Sequence, residues 1–200
     1  MPFLILLRHG QSAWNLENRF TGLMDVDLSP LGEQEARKAG IQLRDYKINV
    51  AYTSVLKRAI HTLDLVQQEM GIEFPVIRDA ALNERDYGDL QGLNKAETEE
   101  KYGASQVMKW RRSYDVAPPN GESLKNTFDR VVPYFKKEIE PMLREDNTIL
   151  VVAHGNSLRA LMMYLEKISV SEIVEINIAT GVPRVYEYTS VLTLLSVRYL

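Results

Sequence analysis

The chain of 200 residues has no cysteine, which removes disulfides, thiolate nucleophiles and thiolate metal sites together. It has no apolar run near the ~20 residues that a membrane span needs. The opening FLILL is short, follows no basic segment and runs straight into charge, so it does not read as a signal peptide. A basic surplus is missing too. The net charge of −3 argues against a nucleic-acid binder or a membrane-surface protein, both of which carry a basic face. Any anion site must then be built from a few converging cations. Internal repeats, low-complexity stretches and linkers are also absent. With 45% apolar and 26% charged residues, the expectation is one cytoplasmic domain over residues 1–200 with a substantial core.

What is present is an alternation of strand and helix signals. Phe3–Leu7, Asn49–Thr53, Phe74–Ile77 and Thr148–Ala153 are short apolar or β-branched runs that predict buried strands. Ser29-Pro30 reads as an N-cap followed by proline at the first helical position, opening a helix through about Tyr46. Within it, Glu33 and Arg37 have the spacing of an exposed helical ion pair. A second helix is expected from Val55 to Met70, stopped by Gly71. A long one is expected from Glu122 to Arg144, bent or broken by Pro133 and Pro141, and another from Leu158 to Lys167. Arg184–Tyr188 and Leu192–Arg198 predict a hairpin at a sheet edge, turning at Thr189-Ser190. This pattern implies an α/β three-layer sandwich, with a mainly parallel sheet flanked by helices on both faces. Residues 82–120 are polar and broken by Gly88, Gly92, Gly103 and Pro118-Pro119, which predicts loops and short helices forming a rim or lid.

There are only three histidines. His9 follows FLILLR and precedes Gly10; His154 follows TILVVA and precedes Gly155. The shared order of buried strand, histidine and glycine places both at carboxyl ends of strands, where ligands of parallel sheets bind. One such histidine would read as structural, but the matched pair reads as functional. His61 lies inside a helix with no glycine beside it and reads as a surface or packing residue. Arg58 falls one turn after the strand end at Thr53-Ser54, near the same rim. An arginine abutting His9, no cysteine and no HxH or HExxH spacing argue against a metal site. Arginine forks match phosphate oxygens, and Arg8, Arg58, Lys95, Arg111 and Arg112 are candidates, although each alone would read as a solvated charge. The chemistry suggested is phosphoryl transfer through a neutral imidazole, with Glu84 in ALNERDYG as the proton donor and acceptor. A surface glutamate paired with Arg85 is the competing reading of Glu84. Residue pattern alone reaches a phosphate-handling α/β enzyme.

LLRHGQSAWN resembles the signature of the histidine phosphatase superfamily. RFTGLMDVDLSPLGEQEA, YTSVLKRAIHT, LNERDYGDLQGLNKAE, KWRRSYDVAPP, AHGNSLRAL and NIATGVPRVYE resemble, in order, segments of its 2,3-bisphosphoglycerate-dependent phosphoglycerate mutases. The resemblance covers nearly the whole chain. It implies interconversion of 3- and 2-phosphoglycerate in glycolysis and gluconeogenesis, primed by 2,3-bisphosphoglycerate and needing no metal. It implies that His9 is phosphorylated, Arg8 and Arg58 grip the transferring group, His154 stabilises it, and Glu84 is the general acid and base. Ser12, Asn15, Thr21, Gly22, Tyr87, Lys95, Arg111, Arg112, Gly155 and Asn156 would complete the substrate pocket. A homodimer or homotetramer is also implied.

Three departures from the family pattern stand out. The join at Pro118–Ser123 is short, no tail follows the last strand, and Asp86 replaces a common histidine. The first two bear on lid closure and so on phosphatase side activity. A general phosphomonoesterase and a non-catalytic phosphate-binding protein remain the alternative functions.

Overall fold

The computed structural model describes all 200 residues. Six strands form one sheet: β1 (Phe3–Arg8), β2 (Val50–Thr53), β3 (Val76–Arg78), β4 (Thr148–Ala153), β5 (Arg184–Tyr188) and β6 (Leu194–Tyr199), in the order β3-β2-β4-β1-β5-β6. The first four in that order are parallel, while β5 runs antiparallel to β1 and β6 antiparallel to β5. The helices are α1 (Ala13–Leu16), α2 (Pro30–Gln42), α3 (Lys57–Met70), α4 (Lys95–Tyr102), α5 (Ala104–Arg112), α6 (Leu124–Tyr134), α7 (Glu140–Arg144), α8 (Gly155–Glu166) and α9 (Val170–Ile173).

Successive strand side chains point to opposite faces, and the sequence uses both. Leu4, Leu6, Val50, Tyr52, Ile149 and Val151 pack with Val131, Phe135, Leu158 and Leu161 from α6, the segment after it and α8. Ile5, Leu7, Ala51, Leu150 and Val152 pack with Ala39, Ala59, Leu63 and Val66 from α2 and α3. Burying each such Val, Leu or Ile contributes about 1.5–3 kcal/mol. The layered α/β architecture expected from the alternation is the one found.

Several local expectations change. Ser29 does cap α2, its Oγ accepting from Gly32 N–H, but the helix ends at Gln42. Glu33 and Arg37 do not pair. Arg37 instead reaches across to Glu69 on α3 at 2.9 Å, because the helices pack side by side and a carboxylate on the neighbour lies closer. The proline-containing helix is not interrupted at Pro133. Its ladder widens into a π-helical turn at Phe135–Ile139 and resumes as α7, with Pro141 in the first turn, where a missing N–H costs nothing. The final hairpin closes through Thr189–Thr193, with Leu192 in the left-handed region (φ 59°). The helix after β4 begins at Gly155, three residues earlier than expected. His154 occupies the cap position, and Ser157 Oγ accepts the His154 N–H. That early start matters, because it sets a helix N-terminus directly behind the second strand-end histidine.

Candidate active site

β1 and β4 are neighbours in parallel register, with Arg8 opposite Ala153, so the next residue on each strand is a histidine. His9 N–H donates to Ala153 carbonyl at 3.0 Å. The imidazoles meet with ring centroids 4.9 Å apart, both buried. His9 Nδ1 lies 2.6 Å from the Gly10 carbonyl oxygen. A carbonyl only accepts, so this nitrogen carries the proton and Nε2 keeps its lone pair. Burial, then the charges of Arg58 and Arg8, hold the His9 pKa well below its usual value. His154 is likewise held low, by burial and then by Arg58, His9 and Arg8. Its Nε2 is 2.8 Å from Ser54 Oγ at the end of β2.

The two arginines are pinned by backbone carbonyls. Arg8 Nη1 donates to Ile178 O at 2.6 Å. Arg58, in the first turn of α3, donates to Gly22 O at 2.7 Å and Met24 O at 2.9 Å. Burial is the main reason the Arg58 pKa falls to about 10, which still leaves it charged at neutral pH. Each guanidinium has five N–H groups, so these bonds fix orientation and leave donors for a ligand.

Glu84 is buried and does not pair with the Arg85 guanidinium, which turns instead to Tyr87 Oη and the Arg111 carbonyl. Burial alone would raise the Glu84 pKa. The Arg85 N–H bond, the charges of Arg8 and Arg58 and the Asn156 N–H bond outweigh it and hold the carboxyl below its usual range. Asn156 N–H comes from the first turn of α8 and reaches Glu84 Oε1 at 3.0 Å, where the helix dipole also favours an anion. The loop carrying Glu84 is bolted from behind. Arg130 on α6 donates to the carbonyls of Ala81, Asn83 and Glu84 and pairs with Glu122, which accepts Asp86 N–H.

These groups open on a cavity of about 200 Å³. Seven cationic side chains line it, Arg8, Arg19, Arg58, Lys95, Arg111, Arg112 and Arg159, against one carboxylate, Glu84. That donor set fits an anion carrying more than one charge. His9, Asn15, Thr21, Gly22, Tyr87, Gly155 and Asn156 also face it. Ser12 does not: it is fully buried and its Oγ caps α1 by accepting Asn15 N–H, so it acts on the cavity only through Asn15. His154 packs behind His9 rather than on the wall. His61 lies outside, half-buried on α3 and bonded to Asp27. Residues 82–120 supply Glu84, Tyr87, Lys95, Arg111 and Arg112. Sequence reading missed Arg19, Phe20, Arg159 and Asn177 on the wall and the Arg130–Glu122 clamp behind it. Arg130 holds carbonyls 46–49 residues away in the chain, and only the AHGNSLRAL segment hinted at Arg159.

Comparison with known proteins meets this geometry from the other side. The profile of the histidine phosphatase superfamily (branch 1) matches residues 4–193. The chain is 60% identical over 200 residues to the 2,3-bisphosphoglycerate-dependent phosphoglycerate mutase of Cytophaga hutchinsonii, covering 100% of this chain and 94% of that one. It is 55% identical over 196 residues to the protein of the same name from Nitrobacter hamburgensis, with 96% and 95% covered. Among solved structures, Bacillus stearothermophilus YhfR superposes with a TM-score of 0.85 at 25% identity, over 98% of this chain and 95% of that one. A mycobacterial glucosyl-3-phosphoglycerate phosphatase, solved with VO3, gives 0.83 at 26%, over 99% and 96%. With a matching profile along almost its whole length and a strand-end histidine pair set among arginines, the chain belongs to the histidine phosphatase superfamily.

Proposed function

We propose that this chain interconverts 3-phosphoglycerate and 2-phosphoglycerate through a phosphohistidine at His9, primed by 2,3-bisphosphoglycerate. One observation carries the mechanism: a neutral His9 whose Nδ1 proton is committed to Gly10 O, leaving Nε2 as a nucleophile on the wall of a polycationic cavity. The substrate pair is supported by full-length identity of 50–60% to relatives bearing the mutase name.

In the primed enzyme the phosphoryl group sits on His9 Nε2. The free hydroxyl of a monophosphoglycerate attacks phosphorus, the new O–P bond forms and the N–P bond breaks. Glu84 takes the hydroxyl proton, which suits a carboxyl held ionised at rest. The bisphosphate then presents its other phosphate to Nε2. The N–P bond re-forms, the ester O–P bond breaks, and Glu84 returns the proton to the leaving oxygen. Arg8 and Arg58 offset charge on the equatorial oxygens, an electrostatic task for which their carbonyl-pinned orientation prepares them. His154 is assigned to the same oxygens through Nδ1, the ring nitrogen that has no other partner. Lys95, Arg111 and Arg112 take the other anionic group of the substrate. A homodimer or homotetramer is the assembly we infer, checked by light scattering of the eluted protein.

The test is an enolase-coupled assay with and without 2,3-bisphosphoglycerate, beside intact-mass detection of the phosphoenzyme. Activation by the bisphosphate and one added phosphoryl group on His9 are expected. Rapid phosphate release from varied monoesters with no isomerisation would replace this reading with that of a phosphomonoesterase.

A further inference from the structure

Arg159 is the fifth residue of α8, and its long side chain leans back toward the helix N-terminus, as helical side chains do. It reaches the cavity wall. Nε donates to Ile176 O at 2.8 Å and Nη1 to Asn156 Oδ1 at 3.1 Å. Neither acceptor is charged. Of the five guanidinium N–H groups, three are left over by these bonds.

The surrounding charge makes that notable. Burial and then Arg112 push the Arg159 pKa down to about 10, and Arg112 itself has Nη1 buried without any partner. Arg111, by contrast, is partly neutralised by Glu99 at 3.2 Å. The cavity thus has two cationic poles. Arg58 and Arg8 act on His9, whereas Arg112 is the charge that weighs most on Arg159, which donates only to uncharged acceptors. Holding two half-buried cations together without a counter-ion is costly, and the cost is recovered when an anion binds between them. Arg159 also fixes the amide of Asn156. Because Nη1 takes Oδ1, the amide NH2 is turned toward Tyr87 Oη, 3.4 Å away, while the Asn156 backbone N–H holds Glu84.

We propose that Arg159 is a specificity-determining residue. With Arg112 it receives the second anionic group of a doubly charged phosphate ester, and through Asn156 it links occupancy of that pole to the residue that holds Glu84. This deepens the function proposed above and rests on its assignment of a two-anion substrate.

Two probes isolate the second anion. 3-Phosphoglycerate carries a phosphate and a carboxylate, and glycerol 3-phosphate replaces that carboxylate with a hydroxymethyl group. Calorimetric titration of wild type, Arg159→Met and Arg159→Lys with each ligand gives a preference ratio for each protein. Arg159→Met is expected to cut the preference for 3-phosphoglycerate by about 10–100-fold, the worth of one charge-assisted hydrogen-bonding group. Arg159→Lys keeps the charge but not the fork and should fall between. Thermal unfolding, together with phosphorylation of His9 followed by mass, checks that the variants are folded. Equal weakening of both ligands, an unchanged ratio, or a wild type with no preference would each overturn the proposal. A wild type that prefers 3-phosphoglycerate but does not isomerise it would remove the mutase reading while leaving this one standing.

Discussion

β1 and β4 lie side by side, each runs into His-Gly, and the surroundings of the two histidines differ in nearly every other respect. His9 lines the cavity, with Nδ1 tied to the carbonyl of the following residue. His154 is shut away behind it, with Nε2 tied to Ser54 at the end of β2, the neighbour of β4 on the side away from β1. After His9 the chain threads past α2 so tightly that a Cβ on Gly10 would sit 2.1 Å from Gly32 O. After His154 it enters α8 directly, and a Cβ on Gly155 would meet nothing nearer than Glu84 Oε2 at 3.6 Å. The same strand-His-Gly order therefore yields one ring with a free nitrogen toward ligand and one ring that backs it. What separates them is the tertiary partner of each imidazole.

The largest effect tests that division directly. His9→Gln should abolish the phosphoenzyme and lower turnover by about 10⁵–10⁶, the scale of losing a nucleophile. His154→Gln should still form it, at a rate lower by roughly 10²–10³, the usual cost of one transition-state donor. Rapid-quench mass spectrometry separates the two, and equal losses would erase the distinction. Arg58→Ala touches both rings electrostatically and should also cost about 10²–10³ in turnover. A change in substrate affinity alone would deny Arg58 a part in the transition state.

The glycines sharpen the contrast in stability rather than rate. Gly10→Ala forces a methyl group into a backbone carbonyl and should cost about 1–3 kcal/mol, the range for overpacking a tight site. Gly155→Ala has room at Cβ and restricts the unfolded chain, so its stability should hold or rise by about 0.4–1 kcal/mol. Urea denaturation of both variants measures the difference. Similar losses would mean that the two turns are equally constrained.

How much of this was legible beforehand follows the range of the interactions. The strand-end histidines, Arg58 and the layered fold were readable, because strand runs, glycine turns and helix spacing are local signals. The Glu33–Arg37 pair was misjudged for the opposite reason, since Glu69 on another helix captured the arginine. Arg130 and Glu122 were invisible as the clamp behind Glu84, because the carbonyls of Asn83 and Glu84 and the Asp86 N–H that they hold lie far away in the chain. Ser12 belongs to the signature segment, but its hydroxyl serves the turn into α1. Arg159 drew no attention in the sequence, because what turns it to the cavity is its hold on Ile176 and Asn156.

The smallest effect concerns what the two rings share. Both have pKa values held well below 6.5 in the folded protein, so between their folded values and 6.5 the unfolded chain binds protons that the native state refuses. Stability must then fall as pH drops below 6.5, and stay level on this account above it. From pH 6.5 to 5.5 each histidine contributes a loss of about 1 kcal/mol, so the pair contributes about 2 kcal/mol. Glu84 does not blur this window. Its folded pKa lies below 4.5, so its stabilising contribution is fully present above that value and is lost only as pH falls further. Urea unfolding at pH 5.5 and 6.5 should show the loss halved in His154→Gln and reduced to near zero when His9 is also replaced. An undiminished loss in His154→Gln would mean that His154 takes up its proton inside the folded protein, and that burial beside Arg58 does not hold it neutral.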